Sequence, residues 1–278
     1  MKLFCIVIPI YKEKLDLDEK FSLRRLNHII GGKDYDVYFV KPNSLNDLDE
    51  YRLLLKNLKV NTISFDDKYF KNTSTYSKLL INSEFYKKFK EYEYMYIYQT
   101  DCYLIKDDLE YWAKQEYDYI GAPIFAYSAG WKDYKHLDAS NMNIPQKYQP
   151  QVGNGGFSLR RISTFIDMLS IDGDLISSGE LKCEELLKVD FEDKFLCNDL
   201  ESRYELIRPN WKLATHFAID MNPDVAYRIF KNQIEPMGVH AWPKNIEFWK
   251  TRFKDLDQDT IRCCENKHGD FLSAYYNH

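Results

Sequence analysis

The stretch Tyr94-Met95-Tyr96-Ile97-Tyr98-Gln99-Thr100-Asp101 is an apolar, aromatic run that stops at a carboxylate. An uninterrupted run of this kind reads as a strand buried on both faces, as in parallel sheets. In open α/β sheets, ligands bind just beyond the carboxyl ends of strands. Asp101 therefore stands where a metal or a substrate would be met.

Moving outward, Leu3–Ile10 is a second buried run, rich in β-branched residues and closed by Pro9. Asp16–Ile30 follows with helical spacing and ends at Gly31-Gly32. Asp36–Lys41 reads as a strand, Asn46–Leu58 as a helix and Val60–Phe65 as a third strand. Strands alternating with helices predict an α/β fold, with a mostly parallel, Rossmann-like central sheet flanked by helices. A helix over Tyr76–Phe89, capped by Ser74 or Thr75, would lead into Tyr94–Tyr98. Asp107–Lys114 reads as a short helix capped by Asp107, and Asp118–Pro123 as a short strand into a turn.

Beyond that point the pattern loosens. Phe125–Val152 has no periodicity and carries Tyr127, Trp131, Tyr134, His136 and Tyr148; a loop this long is usually functional or mobile. Gly153-Asn154-Gly155-Gly156 follows, then a helix over Ile162–Leu169 and a loop over Gly173–Gly179. Asp190–Tyr204 is expected to be helical, Leu213–Phe217 a strand, Pro236–Trp242 strand-like, and Ile246–Phe253 a final helix. The polar segment 254–278 is expected to be a loosely attached tail. No repeat or low-complexity linker divides the chain, so a single domain over 1–253 is expected.

The 278 residues are ample for a sizeable core, and 45% hydrophobic with 29% charged residues is ordinary for a globular protein. A net charge of −5 with no long basic run argues against nucleic acid as the main partner. Aromatics reach 16%, which suits sugar or base recognition but also fits a chain rich in Lys, Asn and Ile. The six cysteines show no CxxC spacing and read as reduced thiols. No run reaches the roughly 20 apolar residues of a membrane span, and no signal peptide is visible. A cytoplasmic location is expected, compatible with peripheral contact at the inner face of the membrane. The oligomeric state is not legible.

Several residues could carry chemistry. Asp101 suits a hard divalent cation such as Mg²⁺ or Mn²⁺, or is a turn former. Gly153–Gly156 could bring backbone N–H groups to a phosphate, or be a flexible turn; it matches neither nucleotide-binding glycine motif. Glu192-Asp193 could supply a general base, or simply complement a helix dipole. His240 could be a metal ligand or a structural histidine. Lys244 and Arg160-Arg161 could meet phosphate, though the arginines could equally start the following helix.

Taken in order, Tyr98-Gln-Thr-Asp101, Asp118-Tyr-Ile-Gly-Ala-Pro123, Val152-Gly-Asn-Gly-Gly-Phe-Ser-Leu-Arg160, Glu192-Asp-Lys-Phe-Leu-Cys197 and Gly238-Val-His-Ala-Trp242 resemble the family of predicted glycosyltransferases called domain of unknown function 5672. More distantly they are similar to inverting β-glycosyltransferases of GT-A fold. The resemblance implies a metal-assisted transfer of a sugar from a nucleotide-sugar donor, UDP-sugar favoured, to a hydroxyl of a glycan or lipid-linked glycan, as in polysaccharide biosynthesis. It implies a nucleotide-binding half over 1–100 and an acceptor and catalytic half over 101–253. Asp101 and His240 would hold Mn²⁺ or Mg²⁺, with Gln99 standing where the first acid of a DxD motif usually stands. Gly155 and Gly156 would line the sugar, and Asp193, or failing that Glu192, would be the base. Pro9 and Tyr11 would lie at the nucleotide, Lys78 and Lys244 at its phosphates, and Trp131 against the acceptor. Two other readings stay open: retaining chemistry, and a non-catalytic nucleotide- or carbohydrate-binding protein on the same fold. A sugar nucleotidyltransferase is disfavoured, because no Gly-rich basic loop follows the first strand.

Overall fold

The computed structural model describes residues 1–125, 150–178, 191–194 and 206–276. Its first half alternates as expected: β1 (Lys2–Pro9), α1 (Leu17–Ile30), β2 (Asp36–Pro42), α2 (Asp49–Leu54), β3 (Val60–Phe65), α3 (Thr73–Leu80), α4 (Ser83–Lys87) and β4 (Tyr92–Tyr98). Then come β5 (Tyr103–Leu104), α5 (Leu109–Ala113), β6 (Tyr119–Gly121), β7 (Pro123–Ile124), β8 (Gln151–Val152), β9 (Phe157–Arg161) and α6 (Ile162–Ser178). A single helical turn α7 (Glu192–Lys194) precedes α8 (Trp211–Phe217), β10 (Ala218–Ile219), α9 (Pro223–Ile229), β11 (Gly238–Val239), α10 (Ile246–Trp249) and α11 (Gln258–Tyr276).

Six strands form the main sheet in the order β3-β2-β1-β4-β9-β6. β1 pairs parallel with both β2 and β4, and β2 with β3, whereas β9 runs antiparallel between β4 and β6. Both faces of β4 are covered, which is why its sequence does not alternate. Tyr94, Tyr96 and Tyr98 pack with Leu23, Leu26 and Ile30 of α1, while Met95 and Ile97 pack with Leu79, Phe85 and Phe165 of α3, α4 and α6. The tyrosines stay buried because their hydroxyls are satisfied: Tyr96 donates to Leu109 O at 2.6 Å and Tyr98 to Cys102 O at 3.1 Å. A smaller sheet, β10-β11-β5, stands beyond the end of β4.

Five expectations are corrected. The single helix over Tyr76–Phe89 is two helices, because Asn72 and Asn82 each cap one: their Oδ1 atoms accept from Thr75 N and Glu84 N, both at 2.9 Å. Arg160 and Arg161 end the strand β9 and do not open a helix. α6 continues through Gly173 to Ser178; one helical glycine costs only about 1 kcal/mol, and the packing of Ile162, Phe165 and Met168 on α4 offsets it. Leu213–Phe217 is helical, because Asn210 caps α8 by accepting from Leu213 N at 3.0 Å. The polar segment after Phe253 is not loosely attached: it holds α11, whose Ile261 and Cys264 are buried in one cluster with Phe21 of α1. The aromatic loop with Trp131 and most of the helix expected over Asp190–Tyr204 lie outside the described residues.

Candidate active site

β4 ends at Tyr98 and the chain turns at once, with Cys102 N–H donating to Gln99 O at 3.0 Å. Gln99 N–H donates in turn to Gly156 O at 3.0 Å, which lays the glycine run against the end of β4. The small sheet delivers His240 to the same point, just after β11. A methyl group on Gly156 would lie 2.1 Å from His240 Nε2 and 2.7 Å from Gln99 Oε1, so only glycine permits this approach. At Gly155 the added carbon would lie 2.3 Å from Glu192 Oε1.

His240 is held from behind by Asp220, whose Oδ1 lies 2.9 Å from Nδ1. Asp220 is fixed by Asn154, whose Nδ2 donates to its other oxygen at 3.1 Å while its Oδ1 accepts from Gly156 N at 2.9 Å. On the open side, Nε2 is 3.2 Å from Gln99 Oε1 and 3.4 Å from Asp101 Oδ1. With the Gln99 amide in this orientation Nε2 faces two oxygens, so it carries either a proton or a cation. Burial works against the protonated ring, but the carboxylates of Asp101 and Asp220 outweigh it and push its pKa up to about 9.

These donors are of the kind that Mn²⁺ or Mg²⁺ takes. Asp101 Oδ1 is buried without a hydrogen-bond partner among the described residues. The carboxylate behind the far ring nitrogen is the usual support for a metal-binding histidine. Among the described residues, no group of three or more His, Cys, Asp or Glu side chains gathers as a metal cage. Asp101 and His240, with Gln99 as a neutral third, fit a cation that completes its shell with substrate oxygens.

Glu192 and Asp193 sit beside the glycines with different attachments. Glu192 is buried in an ion pair: Arg160 Nη2, on a wholly buried side chain, donates to its Oε1 at 3.0 Å, and Ser77 Oγ donates to its Oε2 at 3.1 Å. Arg160 also donates to Tyr86 OH at 2.9 Å and Ser158 Oγ at 3.1 Å. Asp193 is only half-buried, and its Oδ2 accepts from Gly155 N at 3.0 Å.

A cavity of roughly 420 Å³ opens against this cluster, of a size usual for small-molecule sites. Its walls include Pro9 and Tyr11 after β1, Gln99 and Asp101 after β4, and Lys244 after β11. Lys78, Gly155, Gly156, Glu192, Asp193 and His240 are not among its lining residues; Thr73 and Tyr76 of the helix that carries Lys78 are. Sequence reasoning also missed Asp18 and Glu19 of α1 and Lys267 and His268 of α11, all on the wall. Lys267 Nζ bridges Asp16 at 2.8 Å and Asp18 at 3.1 Å, tying α11 across α1. Asp220 was missed because nothing in its local sequence marks it; only the second sheet brings it behind His240. Asn72 and its helix cap could have been found from the Asn-Thr-Ser-Thr signature.

The family model described as "Protein of unknown function (DUF5672)" matches residues 59–240, which run from β3 to His240. Among curated proteins none matches the chain by sequence. Among solved structures, mouse xyloside xylosyltransferase 1 in its apo form has a TM-score of 0.53 at 13% identity, over 85% of this chain and 96% of that one. The glycosyltransferase GlyE of Streptococcus pneumoniae gives 0.49 at 14% identity, over 85% of this chain and 54% of that one. The galactosyltransferase LgtC, solved with donor and acceptor sugar analogues, gives 0.45 at 10% identity, over 84% and 86%. The first of these likenesses shows that the mixed α/β architecture is that of the GT-A glycosyltransferases.

Proposed function

We propose that this chain, which belongs to the DUF5672 family, is a glycosyltransferase that moves a sugar from a nucleotide-sugar donor, UDP-sugar favoured, to a hydroxyl of a glycan or lipid-linked glycan with inversion. The reading is carried by one observation: Gln99 and Asp101, on the wall of the cavity, meet His240 beside Gly156, with the Asp193 carboxylate fixed one residue away at Gly155.

The division of labour follows from the attachments. The open end near Pro9 and Tyr11 takes the nucleoside, with Tyr11 59% exposed and able to lie on a base. Lys244 meets the diphosphate as a point charge. Asp101 and His240 are the residues that would hold Mn²⁺ or Mg²⁺, which when bound would neutralise charge on the leaving diphosphate. Gly155 and Gly156 leave room for the sugar. Glu192 is committed to Arg160 and Ser77; the base in this reading is Asp193, half-buried and resting on Gly155 N. Its carboxylate takes the proton of the acceptor hydroxyl as that oxygen bonds to the anomeric carbon. The bond from that carbon to the diphosphate oxygen breaks in the same step, and the electron pair leaves with the nucleoside diphosphate. No helix among the described residues is long and apolar enough to cross a membrane.

Two measurements test this. Melting temperatures with UDP, GDP, CMP and dTDP, each with and without Mn²⁺, report base preference and metal linkage together. Asp193→Asn should lower turnover, or slow donor hydrolysis, by at least about 10²-fold while the donor still binds. Full turnover in that variant would remove Asp193 from the role, and NMR of the product anomer decides between inversion and retention.

A further inference from the structure

The bond from Cys102 N–H to Gln99 O closes a turn, and Thr100 and Asp101 are the two residues at its tip. Asp101 Oδ1 is buried with no hydrogen-bond partner among the described residues, so no bond to that oxygen fixes its aim. The residue beside it is fixed: the Thr100 hydroxyl donates to Glu19 Oε1 at 2.9 Å. Glu19 is itself buried in the first turn of α1, and it shares the cavity wall with Thr100 and Asp101.

The two oxygens of Glu19 serve different ends. Oε2 accepts from the backbone N–H of Asp16, the N-cap residue, at 2.8 Å, as a helix cap requires. The same oxygen meets Lys12 Nζ at 2.6 Å. Lys12 follows Tyr11, and its carbonyl accepts from Tyr51 OH at 2.7 Å, which pins the loop after β1 onto α2. The bond from Thr100 to Oε1 adds nothing to the cap. It ties the turn that carries Asp101 to a carboxylate already anchored on two other segments.

Resting on the reading that Asp101 and His240 hold the cation, we propose that Glu19 is a positioning residue for that site. Through the Thr100 hydroxyl it sets the tilt of the 99–102 turn and keeps Asp101 Oδ1 facing His240 Nε2, 3.4 Å away. Because it also holds Lys12, the nucleoside end at Tyr11 and the cation end at Asp101 rest on one support.

Thr100→Val keeps the branched shape and removes only the hydroxyl, leaving Glu19 its bonds to Lys12 and Asp16. Groups that directly support a metal ligand are typically worth about 10- to 100-fold in metal affinity; acting through a neighbouring residue, this bond should be worth about 3- to 10-fold. The readout is the Mn²⁺-dependent gain in affinity, by calorimetry, for whichever of UDP, GDP and dTDP the wild type binds tightest. In Thr100→Val that gain should shrink by this factor, while affinity without Mn²⁺ stays within about 2-fold. Thr100→Ser, which restores the hydroxyl, should recover the gain. An undiminished gain in Thr100→Val, an equal loss without Mn²⁺, or no recovery in Thr100→Ser would each overturn the assignment. A wild type whose nucleotide affinity ignores Mn²⁺ would remove Asp101 from the metal role and take this assignment with it. A normal wild-type gain that Thr100→Val retains in full defeats the role of Glu19 alone.

Discussion

Glu192→Ala separates structure from chemistry at the Glu-Asp pair. The side chains of Arg160 and Glu192 are 0% and 8% exposed, so the pair is nearly free of solvent screening. Removing the acid leaves a buried guanidinium whose other bonds are to neutral oxygens of Tyr86, Ser158 and Gly155. It also removes one acceptor from Ser77 Oγ. Breaking a buried pair from one side costs about 3–5 kcal/mol. With about 2.1 cal/mol/K of unfolding entropy per residue, a chain of 278 residues loses melting temperature at about 1.7 °C per kcal/mol. The expected drop is therefore about 5–9 °C, read by calorimetry at neutral pH. Replacing both partners, as Arg160→Met with Glu192→Leu, should recover most of it, because well-packed apolar side chains substitute for a buried pair. A Glu192→Ala protein that melts within about 2 °C of wild type but has lost turnover would refute this reasoning and return Glu192 to the chemistry.

The same geometry sets two further outcomes. Gly156→Ala puts a methyl group 2.1 Å from His240 Nε2, and the ring cannot retreat without leaving Asp220; Mn²⁺-dependent stabilisation by nucleotide should vanish, and retention of the Mn²⁺ effect would show that His240 is not a metal ligand. Asp16 is held down at about 2, first by its hydrogen bond to Lys267 and then by that to Lys12. Stability from a carboxylate lowered in the fold is present above its unfolded pKa of about 4 and is lost as pH falls through the folded value. Because the Asp16 side chain is 44% exposed, solvent screening keeps the effect small. Melting temperature should fall less steeply between about pH 4 and pH 2 in Lys267→Met than in wild type; equal slopes would show that the Lys267 bridge contributes nothing.

The features that could be read in advance divide from the rest along physical lines. β1, β2 and β4 were legible because each is buried on both faces, and burial on that scale writes itself into composition; β3, a half-exposed edge strand, was legible from its β-branched residues and its place after a helix. Asp101, Gly156 and His240 were legible as single residues of unusual chemistry in unusual settings, and the fold brings them together. β9 was hidden because Ser158 and the two arginines look solvent-facing, whereas Arg160 is buried on a local polar network. α8 was hidden because an apolar run of its length suits a strand as well as a helix, and only the Asn210 cap decides. Asp220 and Lys267 were out of reach, since their meaning lies wholly in partners distant along the chain.

The Lys267 bridge to Asp16 joins residues 251 positions apart. Closing a loop of that length costs about 5 kcal/mol in chain entropy beyond a constant term, so contacts between α1 and α11 form against the steepest kinetic odds in the molecule. Because α11 supplies part of the cavity wall, the cavity is closed on that side only once this long-range contact has formed. During synthesis, the sheet that carries Asp101 can be complete while the cavity still lacks a side. Completion of the cavity is thus tied to completion of the fold.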